Sequence, residues 1–220
     1  MESRDRILDF LQRRRQATAE ELAALLGLAA STVRRHLTVL QRDKAVTFHI
    51  LYKKRGRPNF VYFLTQQGQD RLPKDYYRLT HTILHEISRL SNLDLRQQDG
   101  HSLLDLILGR IAQRLVSHYA PRVSAPTLKE RVQRLANLLS EEGFLAEYEE
   151  TEDGFELRCF NCPYHNVAQG CPELCEMDLL WFQGVLQASV TLECSLVAGK
   201  EACLYRVAAE AEKRVATGRN

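Results

Sequence analysis

Over the first 64 residues the apolar pattern keeps a helical period three times and then switches to alternation, and that order constrains the fold more than any single motif. Ile7, Leu8 and Leu11 form the first stripe, predicting a helix over 4–14 with Ser3 as its N-cap. Thr18-Ala-Glu-Glu21 reads as a capping box, in which Thr18 caps and Glu21 reaches back. The helix behind it carries Leu22, Leu25 and Leu26 and stops at Gly27. A third helix opens at Ala29-Ala-Ser-Thr-Val33 and runs to about Asp43. Val33, Leu37 and Leu40 fall at i, i+4 and i+7 and face a core, which turns Ser31, Thr32, Arg34, Arg35 and Thr38 outward. Val46–Tyr52 and Phe60–Leu64 alternate as strands on either side of the basic turn Lys53-Lys-Arg-Gly-Arg-Pro58. Three helices and a hairpin with a cationic tip make the order of a winged helix-turn-helix.

Charge points the same way. Residues 1–75 hold 15 Lys/Arg against 8 Asp/Glu, while the whole chain carries only +2. A basic front on a near-neutral chain fits a nucleic-acid surface. The expected DNA-binding residues are Ser31, Thr32, Arg34, Arg35 and Thr38 on the third helix, within reach of base edges. Lys53, Lys54, Arg55 and Arg57 at the wing tip are expected on phosphate or in the minor groove of a double-stranded operator. No eighteen-residue apolar run exists, so no membrane span is expected. The charged start MESRDRILDF lacks an apolar signal core, so the expected location is cytoplasmic.

Tyr76, Leu79, Ile83, Ile87 and Leu90 form a near-heptad stripe on a helix over 76–93, expected to be a dimerisation helix because such readers bind paired half-sites. Helices follow at about 102–118 and 127–142, with Pro121 and Pro126 punctuating the link. Phe144–Glu150 and Phe155–Phe160 then read as a hairpin about Thr151-Glu-Asp-Gly154, Asn161–Pro172 as a loop, and Glu173–Leu186 as a helix. Ser189–Leu196 and Ala202–Val207 read as a second hairpin near Gly199. The expected fold class is α+β: an N-terminal winged helix-turn-helix (1–75), a helical dimerisation linker (76–100), and a C-terminal α+β domain with a small antiparallel sheet (101–220).

All six cysteines lie between Cys159 and Cys203. Alternation puts Cys159 with Phe155 and Leu157, and Cys194 with Val190, Leu192 and Leu196, so both read as buried small hydrophobes. Cys162 and Cys171 sit in a loop, and Cys203 opens the last strand. Cys175 falls in a first helical turn, where the dipole favours a thiolate. Loop and terminal thiols can converge on a metal. The lack of paired C-x-x-C motifs is a poor match to a zinc ribbon, and this many thiolates also suits an iron–sulfur cluster, so chemistry leaves zinc and iron–sulfur level. A nucleophilic Cys162 with His165 as base has no third orienting group, so no enzyme activity is expected.

Cys162-Pro-Tyr-His-Asn-Val-Ala168, Cys175 and Gly199-x3-Cys203-x-Tyr205, lying behind a winged helix, resemble the iron–sulfur repressors of SUF cluster-assembly operons, the SufR-type regulators. The resemblance spans most of the chain and is most specific in the spacing Cys162-x12-Cys175-x27-Cys203. It implies a homodimeric repressor of cluster-assembly genes, with Cys162, Cys175 and Cys203 holding a cluster, 4Fe-4S in preference to 2Fe-2S. Cys171, His165 or a non-protein group would supply a fourth ligand. Glu193-Cys194…Cys203 also faintly resembles zinc-bearing small-molecule sensor domains, so the alternative is a winged-helix regulator with structural zinc.

Overall fold

Helix α1 (Ser3–Arg14) begins at Ser3 itself, one residue earlier than its apolar stripe predicts, and buries Ile7, Leu8 and Leu11. The computed structural model of the protein describes residues 3–52, 58–96 and 98–209. The wing cations Lys53, Lys54, Arg55 and Arg57 lie outside the described residues. Strand β1 (Gln16–Thr18) leads into α2 (Ala19–Leu26), whose capping box forms as the sequence specifies. Thr18 Oγ1 accepts from the Glu21 amide at 3.2 Å, and the Glu21 carboxylate accepts from the Thr18 amide at 2.7 Å. Gly27 ends the helix at φ +66°, a left-handed conformation that costs glycine little.

Helix α3 (Ala30–Arg42) sets Val33, Leu37 and Leu40 into the core formed with α1 and α2. Strands β2 (Val46–Leu51) and β3 (Asn59–Leu64) pair antiparallel from Val46↔Leu64 to Leu51↔Asn59, and β1 adds to the other side of β3. This is the winged helix-turn-helix, with a third strand that the sequence does not announce. A short α4 (Gln66–Asp70), capped by Thr65, closes the unit.

Helix α5 (Tyr76–Ile87), capped by Asp75, is shorter than expected. It packs on α6 (Gly100–Val123), which is longer than expected and carries Pro121 inside its C-terminal end. Most of the expected dimer stripe turns inward within the chain. Leu79 is buried in the chain's own C-terminal core, Ile83 and Leu90 pack against that core, and only Ile87 of the apolar stripe stays exposed. The cause is the return of α6 alongside α5, which covers the inward stripe within one chain.

After α7 (Leu128–Glu141) come β4 (Ala146–Thr151), β5 (Gly154–Cys159), the one-turn α8 (His165–Ala168), α9 (Glu173–Leu186), β6 (Val190–Cys194) and β7 (Cys203–Ala208). The sheet order is β4-β5-β7-β6, all antiparallel. Phe155, Leu157, Cys159, Cys203, Tyr205 and Val207 line its covered face, under α7 and α9. Phe182 stacks edge-on against Tyr205 at 4.8 Å and lies 5.1 Å from Trp181, an aromatic centre that anchors α9 over the sheet. Gly184 lets α9 cross α6 closely, since a Cβ there would meet Val116 Cγ2 at 2.3 Å.

The two units share a seam. Leu145 and Phe160 from the C-terminal unit pack into the apolar core of the N-terminal one. Gln12 Nε2 donates to the Phe160 carbonyl at 2.6 Å. Buried Asn161 Nδ2 donates to the carbonyls of Pro73 at 2.9 Å and Gly143 at 2.7 Å.

Candidate functional site

On α3, Ser31, Arg34, Arg35 and Thr38 are exposed and Thr32 is half-buried. The expected DNA-reading residues therefore share one solvent face, opposite Val33, Leu37 and Leu40. They are not equivalent. Arg34 forms an ion pair with Glu20 of α2, and Thr38 Oγ1 donates to the Arg34 carbonyl at 2.9 Å. Among the described residues Arg35 pairs with no acid, so its guanidinium is the freer to meet a base edge. The pairing of Arg34 is invisible in sequence because Glu20 belongs to another helix.

The second site lies where the loop after β5, the start of α9 and the start of β7 meet. Cys162 and Cys203 are buried and Cys175 is half-buried. Burial pushes the Cys162 thiol far above its usual range, and Asp178, Cys203 and Cys175 add to the effect. Burial likewise pushes Cys203 up to about 12, with Cys175 and Asp178 contributing. The first-turn position of Cys175 does not win for it a low pKa. Burial first, and then Asp178, push it up to about 11, against the helix-dipole expectation. The three thiols and Asp178 thus lie within electrostatic reach of one another. Among the described residues no three His, Cys, Asp or Glu side chains form a group that could hold a single metal ion.

The remaining cysteines divide differently from expectation. Cys159 is fully buried opposite Cys203 across β5 and β7, as the alternation predicts. Cys194 is only half-buried. A register shift between Leu192 and Cys194 sets it against Leu204 in place of Cys203, with its Sγ 3.6 Å from the Ala202 carbonyl. The Cys171 pKa is raised by burial and by the neighbouring Glu173. His165 lies 3.3 Å from Gln169 Nε2, and burial and Lys74 lower its pKa.

Sequence reasoning missed two residues here. Asp178 is buried in α9, and burial pushes its carboxyl up to about 8, with Arg78 opposing. Its i+3 spacing from Cys175 was the available signal. Lys74 donates to Asn161 Oδ1 at 2.8 Å and to the Cys162 carbonyl at 3.1 Å. A cleft of about 470 Å³ opens beside Lys74, Cys162 and His165, bounded by Arg15, Asp70 and Lys200.

A reading helix on a three-helix unit with a β2–β3 hairpin, joined to a thiol-bearing second unit, defines a winged helix-turn-helix protein, the class to which many DNA-binding transcriptional regulators belong. Residues 2–47 match the model of a family described as a helix-turn-helix domain. Among curated proteins none matches the chain. A similar solved structure is described as Bacillus subtilis PadR in complex with operator DNA. It is 14% identical, with 84% of this chain and 97% of that one covered, at a TM-score of 0.28. No described helix is long and apolar enough to cross a membrane.

Proposed function

We propose that the chain is a homodimeric, operator-binding repressor whose C-terminal unit holds an iron–sulfur cluster and controls cluster-assembly genes according to its presence. The observation that supports this reading is that Cys162, Cys175 and Cys203, from a loop, a helix and a strand, lie near enough to influence one another electrostatically, two of them buried and Cys175 half-buried. The donor set fits the group: three soft thiols, with a buried carboxylate among them whose Oδ1 has no partner. A single zinc ion needs its ligands at one point. A cluster presents several irons and takes ligands that stand farther apart, 4Fe-4S more so than 2Fe-2S.

When bound, the cluster supplies a bridge between these elements that is sensitive to oxidant and to iron supply. The chain's own residues carry its consequence to the DNA. Cys162 and Pro163 offer carbonyls to Lys74 Nζ and to the Asp75 amide, at 3.1 and 3.3 Å, at the junction between the two units. A shift of the Cys162 loop moves that junction and so the angle of α3. The partner copy is expected on the outer face of α5, where Tyr77, Leu84 and Ile87 are 83%, 60% and 45% exposed at helical spacing. A two-state dimer responding to cluster occupancy is a population shift, and it requires that the two arrangements hold the cluster unequally.

The deciding experiment is anaerobic purification of the full chain with iron, acid-labile sulfide and zinc analysis. Brown protein with iron and sulfide, binding its operator in the loaded form only, supports the reading. Colourless protein carrying stoichiometric zinc overturns it in favour of a zinc-bearing sensor.

A further inference from the structure

Asp178 projects from α9 one turn beyond Cys175, at the i+3 position that shares a helix face. It is 5% exposed, and its Oδ1 has no hydrogen-bond partner. A buried carboxyl group without a partner is costly for a core to hold, whether ionised or neutral. The cation that opposes its shift, Arg78, is already shared: it pairs with Glu142 and Asp75 and donates to the hydroxyls of Tyr119 and Tyr164. Such an orphan in a native core calls for a specific explanation, an ion among them.

We propose that Asp178 is the fourth protein ligand of the cluster held by Cys162, Cys175 and Cys203, giving a three-thiolate, one-carboxylate site. The inference rests on the iron–sulfur reading above and deepens it. The geometry favours Asp178 over the two candidates that sequence suggested. Cys171 is only half-buried beside the Glu173 carboxylate, so its thiol has no unmet need for a partner. His165 faces Gln169, Lys74 and Asp70 on the cleft side. Cys159 is close to the group as well, but a buried thiol needs no partner, whereas a buried carboxylate does. An oxygen ligand also has a chemical consequence: carboxylate exchanges more readily than thiolate at iron, so this corner of the cluster is the one open to an incoming ligand.

Full-length wild type, Asp178→Asn, Asp178→Cys and Cys159→Ser are each reconstituted anaerobically with ferrous iron and sulfide. The readouts are iron and sulfide per chain, the visible and EPR spectra, and the rate of iron loss to a chelator. Asp178→Asn should lose iron at least about tenfold faster than wild type, the lower range for perturbing a metal's surroundings. Asp178→Cys should retain iron with an altered spectrum, and Cys159→Ser should match wild type. Trp181 Nε1, one turn further along α9, is likewise buried without a partner. If Asp178 served only as its acceptor, the isosteric amide would keep both the cluster and its rate of loss. Wild-type behaviour in Asp178→Asn, in a protein whose Cys162→Ser variant loses the cluster, overturns the ligand assignment alone. A wild type that takes up no iron and sulfide overturns both readings.

Discussion

The Lys74 ammonium donates to the Cys162 carbonyl at 3.1 Å, so a basic residue at the end of the DNA-binding unit rests on the backbone of a thiol-bearing one. The same ammonium meets Asn161 Oδ1 at 2.8 Å. Lys74→Met keeps the aliphatic stem and removes both bonds, a loss of about 1–3 kcal/mol. Operator affinity should then depend less on iron loading. Titrations of loaded and chelated protein check this, and an unchanged ratio of the two affinities would separate Lys74 from the signal. Stability against pH gives a second readout. Burial lowers the Lys74 pKa below the ordinary 10.5, so the native state sheds this proton before the unfolded chain does. Stability from this group therefore rises with pH between the two values, and the methionine variant should lack that alkaline gain.

Arg35 should carry more base discrimination than Arg34. Arg35→Ala is expected to cost about 1–3 kcal/mol of preference for the operator over unrelated duplex, the usual worth of a bidentate guanine contact. Arg34→Ala should cost less, because Arg34 is held by Glu20. Competition binding measures both, and equal losses would mean that the ion pair opens on DNA.

On α5 two neighbouring residues should behave oppositely. Leu84→Asp, on the exposed face, should shift the protein towards monomer in sedimentation with little change in Tm. Ile83→Asp, packed against the C-terminal core, should lower Tm, because it buries an unpaired carboxylate. A Leu84→Asp variant that remains fully dimeric would move the interface elsewhere.

Serine at 162, 175 or 203 should abolish iron content and visible absorption, since a hydroxyl is a far poorer iron ligand than a thiolate. Cys159→Ser should keep the cluster and lose about 1–3 kcal/mol by burying a hydroxyl without a partner. Cys194→Ser should be nearly silent, because its side chain is half-buried and within reach of the Ala202 carbonyl. Iron retained in Cys203→Ser and lost in Cys194→Ser would place the metal at the other end of the β6–β7 hairpin.

What the sequence discloses depends on the range of the interaction. The Thr18–Glu21 cap and the Val33, Leu37, Leu40 stripe are local, and both form as their spacing predicts. Strand β1 is three residues long and exists only through pairing with β3, more than forty positions away, so no local pattern marks it. Alternation misplaces Cys194 because it assumes an unbroken ladder, and the register shift after Leu192 breaks it. The α5 stripe was visible, but whether its partner was α6 or a second chain was not. Asp178 was hidden for a related reason: its burial comes from helices and strands on several sides, and an acid at i+3 on a helix is otherwise an ordinary solvated residue.

Leu145 and Phe160 complete the apolar interior of the DNA-reading unit although they follow it by some seventy residues or more. Cutting the chain near residue 75 would therefore leave that interior with two side chains missing and apolar surface in water. A chimera that grafts residues 1–75 onto a foreign sensor would inherit the same defect unless the new partner offered equivalent plugs. Within a lineage, this ties the two units to one another: substitutions at either surface of the seam must be matched across it, and the pair is inherited as a single piece.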